Sequence, residues 1–244
     1  DNMRHVLGAA ASPQRLDQVA RQVFRNQAKN MVDMFRLPTL TPAQVEGLVT
    51  LHGWEYVAQA QARGKGIVFT SAHFGELDVA AQIAACRGLK PVVLHERLEP
   101  QRLYDYIVGI RSRMGIVFVP IGEPSVLKLA IRTLKENGLL GVVADRNVTN
   151  NGRPVRFFGA MARLPDGHVA LARRTGAAIL VAFSLRLPDN SYEVCVEPPI
   201  ILEPTDDRER DVQAGVERVA AIMERYIGAH PEQCVYFQPV WVES

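Results

Sequence analysis

The run Ser71-Ala72-His73-Phe74-Gly75-Glu76-Leu77-Asp78 sets an imidazole and a carboxylate five residues apart. A carboxylate that accepts a hydrogen bond from one imidazole nitrogen fixes the tautomer and leaves the other nitrogen basic, ready to take a proton from an alcohol. On one continuous helix the two side chains would lie about 140° apart, because five residues turn about 500°. They meet only if His73 sits on a turn, with Gly75 easing the bend and Asp78 reaching back from the first helical turn. A His beside an Asp in a loop also has a purely structural reading, and its place in the fold weighs between the two. Ser71, two residues before His73, leaves a serine nucleophile open, although no G-x-S-x-G elbow is present and no second base is evident.

The elements around this run place it at a strand end. Ile67-Val68-Phe69-Thr70 reads as a buried strand, and a helical pattern follows at 76–87. Further strands are expected at 91–94, 116–119, 139–143, 178–185 and 192–197, with helices near 100–114, 124–136, 166–175 and 208–228. Before them come an amphipathic helix at 13–36 and, opened by the Thr41-Pro42 cap, a helix near 42–50. Strands alternating with helices, most of them continuously apolar, predict a single α/β domain over 1–244 with a mostly parallel sheet flanked by helices. Residues 1–62 form its helical N-terminal portion and 63–244 its α/β core. In such sheets ligands bind beyond the carboxyl ends of strands, which is where His73 falls.

Composition narrows the chemistry. The 244 residues are 48% hydrophobic and 22% charged, an ordinary globular balance. The three cysteines Cys86, Cys195 and Cys234 have no CxxC spacing, so neither a disulfide framework nor a zinc site follows, and a reducing compartment is expected. No ligand spacing for a metal, no P-loop and no G-x-G-x-x-G is present, so no cofactor is expected. His5, His52, His95, His168 and His230 are scattered; His95 and His168 could lie close to the site, but structural roles are expected of all five. Residues 97–186 carry 14 basic and 6 acidic side chains, whereas 187–244 carry 4 and 12. A basic middle third fits an anionic ligand or solvated helix faces; without lysine-rich runs or a base-reading module, nucleic acid is not expected.

H-x4-D directly after a strand resembles the signature of the glycerolipid and lysophospholipid acyltransferase superfamily. Other blocks narrow the resemblance to its lipid A late-acyltransferase branch: Arg102 to Gly115 ending RSRMG, Glu136-Asn137-Gly138 to Asp145-Arg146, Phe157-Phe158-Gly159, and Leu171 to Ala177. So does the tail from His230-Pro231-Glu232-Gln233 to Gln238-Pro239-Val240-Trp241. Within that branch, ADRNVTNNG (144–152) and QPVW are closest in look to phosphatidylinositol mannoside acyltransferases. Lipid A enzymes more usually show a glutamine where this chain has Arg146.

The resemblance implies acyl transfer from a coenzyme A or carrier-protein thioester to a lipid or sugar hydroxyl, with His73 as base and Asp78 orienting it. It places an acceptor-contacting carboxylate near Glu96, whose alternative is an exposed salt bridge with Arg97. It favours Arg111 over Arg113 as a donor to phosphate or to the developing oxyanion. Asp145 is left to bind an acceptor hydroxyl or to support the His, and Arg146 to hold phosphate. Arg153, Arg156 and Arg163 are expected to rim an acyl slot. The implied partners are an acyl thioester, a glycolipid acceptor and a membrane surface. The implied location is the cytoplasmic face of the plasma membrane, reached through a membrane-associating segment preceding Asp1. Acylation of lipid A, and a non-catalytic lipid-binding protein of the same fold, are the alternatives.

Overall fold

The computed structural model describes residues 1–123, 125–148 and 151–241. Three helices open the chain: α1 (Asn2–Leu7), α2 (Pro13–Arg36) and α3 (Pro42–Gly47). Thr41 caps α3 as expected, in a reciprocal box with Gln44. Then β1 (Val49–His52), α4 (Trp54–Ala62), β2 (Ile67–Ser71), α5 (Leu77–Cys86), β3 (Pro91–His95) and α6 (Gln101–Ser112) alternate. The alternation continues through β4 (Val117–Pro120), α7 (Val126–Lys135) and β5 (Leu139–Val143). A hairpin of β6 (Arg153–Phe157) and β7 (Ala160–Leu164) precedes α8 (Gly167–Thr175), β8 (Ala178–Arg186), β9 (Tyr192–Val196) and α9 (Arg208–Ala229). Pro124, expected to start a helix, and Thr149 and Asn150 of the ADRNVTNNG run lie outside the described residues.

Seven strands form one sheet in the order β1-β9-β8-β2-β5-β3-β4. Every pairing is parallel except β8 with β9, so the expected α/β architecture with a mostly parallel sheet is what the chain adopts. Residues 1–62, expected to be helical, also contribute the edge strand β1, paired with β9. The hairpin is likewise absent from the sequence reading. Its two-residue turn, Phe158-Gly159, holds φ of 50° and 76°, the left-handed pair that a tight twisted hairpin needs.

Strand alternation divides the core. Val68, Leu140 and Ile179 face α8 and α9, whereas Ile67, Ala178 and Leu180 face α4. β5 lies between β2 and β3 although it follows both in sequence. That crossover sets the loop after β5 beside the loop after β2.

Helix α2 is fastened to the opposite side by a buried polar cluster. Arg186, at the end of β8, donates to Asp33 (2.6 Å), Asn30 (2.6 Å) and the Tyr192 hydroxyl (2.8 Å). Asn30 in turn donates to the carbonyl of Gly75 (2.7 Å), so α2 grips the loop that carries His73. The C-terminal segment closes the other flank. Trp241 stacks on Phe157 and donates from its indole to the Phe157 carbonyl (2.9 Å).

Candidate active site

The loop between β2 and α5 has little freedom. Val235 donates to the His73 carbonyl (2.7 Å), Gly75 to the Gln233 carbonyl (2.9 Å) and Glu76 to the Ser184 carbonyl (3.2 Å). Gly75 adopts φ of 58°, and a Cβ there would fall 1.7 Å from the Ser184 carbonyl oxygen. Only glycine satisfies both constraints, which is why the turn between His73 and Asp78 is built on it.

The carboxylate that meets His73 is Asp145. Its Oδ2 accepts from the His73 backbone N–H (2.7 Å), and its Oδ1 accepts from the ring Nδ1–H (2.7 Å). Asp145 is fully buried, so both oxygens are spent on one residue. Nε2 is thereby left as the basic nitrogen and has no hydrogen-bond partner among the described residues. Burial opposes charge on the imidazole, but the charge and hydrogen bond of Asp145 outweigh it and raise His73 above its ordinary value. Burial likewise works against ionised Asp145, and the His73 contacts overcome it, holding that carboxyl below its usual range.

The expected hydrogen bond between Asp78 and His73 is not made. Asp78 stands on the first turn of α5, and its carboxylate accepts from Arg111 Nε (2.8 Å) on α6. Five residues of separation carry it past the imidazole, and a guanidinium takes its lone pairs. Burial raises the Asp78 carboxyl despite Arg111, and burial together with Asp78 raises neighbouring Glu76 to about 8. Arg111 also lies over the Phe118 ring, 5.6 Å from its centroid.

Glu96 pairs with Arg146 (3.3 Å) and not with Arg97, which instead binds Glu123 (3.2 Å). Arg146 also donates to the Gln238 side chain, so the Gln-Pro-Val-Trp tail contributes to the site. Arg153, Arg156 and Arg163 belong to the hairpin and stand apart from it. Arg153 is held by Asp166 and Glu209, Arg156 by the Gly159 carbonyl and Arg163 by the Gly152 carbonyl.

His73, Asp78, Glu96, Arg111 and Arg146 share the wall of one cavity of about 260 Å³, and Asp145 stands buried behind His73. The rest of its lining is mainly apolar: Phe69, Val93 and Gly141 from the strands, Leu77, Ala80, Ala81 and Ala84 from α5, and Phe118 and Ile121. Of this lining, Gly141 inside the apolar run Leu139–Val143 carries a signal in the sequence that something approaches the backbone there. His95 also lines the cavity, stacked on Tyr104; burial and then the Arg111 charge keep its ring below the ordinary imidazole range. Among the described residues, no three or more His, Cys, Asp or Glu side chains are grouped to hold a metal ion. The arrangement is an imidazole held by a buried carboxylate at the polar end of an apolar cavity, with cations beside it, which could serve as a general base.

Comparison with known proteins bears on this geometry. The family model described as bacterial lipid A biosynthesis acyltransferase matches residues 1–243. The phosphatidylinositol mannoside acyltransferase of Mycobacterium tuberculosis (strain ATCC 25618 / H37Rv) is 28% identical over 247 residues, 99% of this chain and 75% of that protein. Its counterpart in Mycolicibacterium smegmatis is 26% identical over 229 residues, 93% of this chain and 73% of that protein.

The Asp78–Arg111 pair can be tested through stability. Removing one partner of a mostly buried pair strands the other, so Arg111→Met is expected to cost about 2–4 kcal/mol. Adding Asp78→Asn should recover most of that loss in urea denaturation. A neutral Arg111→Met would show that the pair does not hold α5 to α6.

Proposed function

This chain belongs to the bacterial lipid A biosynthesis acyltransferase family, and we propose that it acylates a hydroxyl of a phosphatidylinositol mannoside with His73 as general base. That it is an acyltransferase working on a lipid acceptor follows from the family and its relatives. The finer reading rests on one observation: a basic Nε2, fixed by the buried Asp145, at the mouth of an apolar cavity.

In this reading the donor is the thioester of coenzyme A or of a carrier protein, its chain lies in the cavity, and no further cofactor takes part. The acceptor oxygen forms a bond to the thioester carbon while Nε2 takes its proton. The carbon–sulfur bond then breaks, and the thiolate leaves with the proton returned by the imidazolium. Asp145 stabilises that imidazolium without itself being protonated. Arg111, tethered through Nε to Asp78, turns its remaining donors to the developing oxyanion. Asp78 thus becomes a positioning residue for Arg111. Arg146 and Glu96 are assigned to the acceptor, one for phosphate and one for a sugar hydroxyl.

In this reading the protein works at the cytoplasmic face of the membrane, attached through an exposed apolar stripe. Helix α2 buries Val19, Val23 and Met34 yet leaves Phe24, Met31, Val32 and Phe35 exposed. The stripe continues onto α6 through exposed Tyr106, whose ring lies 6.4 Å from that of Phe35. Exposed Arg25 and Arg102 accompany it, a combination suited to an anionic bilayer surface. No described helix is long and apolar enough to cross a membrane, so attachment through this region would be interfacial.

Two experiments address this reading. Thiol release from palmitoyl-coenzyme A is expected to rise on adding a phosphatidylinositol mannoside, and His73→Ala should cut the transfer about 10²–10⁴-fold. Because the neutral imidazole is the reactive form, the rate should fall on the acid side with a midpoint above about 6.5, and Asp145→Asn should move that midpoint down. Transfer to lipid A precursors but not to the mannoside would reassign the acceptor, and transfer unaffected by His73→Ala would remove the base. Second, Phe24→Ser with Phe35→Ser should abolish sedimentation with anionic vesicles while leaving transfer to detergent-dispersed acceptor intact. Vesicle binding that survives both changes would place the membrane contact elsewhere.

A further inference from the structure

The central strands of a sheet covered on both faces ought to be closed to solvent along their length, yet one row is not. Phe69 on β2, Gly141 on β5 and Val93 on β3 stand side by side in register, and all three are only partly buried. They form the floor of the cavity, and the alanines of α5 form its roof. Helix α5 rests on β8 and β3 at its two sides, which spans the gap over β2 and β5. A Cβ built at Gly141 meets a Val93 methyl carbon at 3.1 Å as its nearest neighbour, with the backbone of Val92 and Val93 next at 3.8 Å. Any larger side chain at 141 would extend across the channel.

We propose that Gly141 sets the length of acyl chain this protein accepts, by leaving the channel open past the middle of β5. This rests on the acyltransferase reading and adds the residue that measures the substrate. The polar end lies at the row of Ser71 and Val143, and Leu139, paired with Pro91, marks the far row. Four residues of strand separate these rows, about 13 Å. An extended chain advances about 1.2 Å per bond, so about eleven carbons fit along the strands. The Gly141 row lies halfway, about five or six carbons in. An acyl chain of about eleven or twelve carbons fills the channel, and a side chain at 141 cuts it to about half.

The test is displacement of a fluorescent polyene fatty acid by saturated fatty acids of six to eighteen carbons, using the full chain and its Gly141→Ala and Gly141→Val variants. In the wild type, affinity should rise about fourfold per methylene until the channel is filled, then level off. Gly141→Val should level off near six to eight carbons, lowering the twelve-to-six-carbon affinity ratio at least about 100-fold. Gly141→Ala should fall between, and its thermal midpoint shows whether the fold is kept. Variants that melt like the wild type and retain its full chain-length dependence would overturn the proposal. A wild type without any chain-length dependence would overturn it as well. Normal dependence without transfer from any acyl-coenzyme A or acyl carrier protein would instead sink the transferase reading and leave Gly141 as the measure of the bound chain.

Discussion

A single buried carboxylate holds the site in one arrangement. Asp145 is shut off from water, and desolvating a carboxylate costs several kcal/mol unless charge and hydrogen bonds offset it. Both of its oxygens are answered by His73, one through the ring and one through the backbone. The contact therefore works in two directions: it orients the base, and it ties the end of β2 to the end of β5. Moving either loop would leave a buried acceptor unpaired, so the base and the sheet order are fixed together.

Around that pair the remaining charges are sorted by partner. Asp78 is committed to Arg111, and Glu96 to Arg146 and, through it, to Gln238 of the tail. Arg186 balances Asp33 (2.6 Å) on the opposite side of the loop. The H-x4-D run thus makes two separate contacts at the cavity wall: its histidine is held by buried Asp145, and its aspartate secures Arg111. Helix α2 joins the exposed apolar stripe to the same loop through Asn30 and Gly75. A hydrogen bond thus links the helix that carries the apolar stripe to the turn that carries His73.

Much of this was legible from residue patterns. The βα alternation, the Thr41 cap and the place of His73 at a strand end follow from periodicity and local chemistry, which act over a few residues. The partner of His73 does not. Asp145 lies 72 residues away and becomes a neighbour only because β5 inserts between β2 and β3. Nothing local encodes that insertion, so the nearer Asp78 looks like the better partner. The β6–β7 hairpin was obscured in another way. Val155 and Phe157 alternate correctly toward the core, but Pro154 and the arginines between them read as loop, and its turn uses Phe158-Gly159 in place of the usual Asn-Gly. Edge strand β1 follows α3 with one residue between them, which let the helical pattern run through its start. The cavity floor is a row across three strands, and such rows exist only once register is known.

The most direct measurement is titration of the His73 ring by NMR in the wild type and in Asp145→Asn. A midpoint above the ordinary imidazole value in the wild type, falling in the variant, is expected if the buried carboxylate governs the base. A midpoint that is the same in both proteins would show that Asp145 does not act on the imidazole, and the assignment of His73 as an oriented base would have to be abandoned.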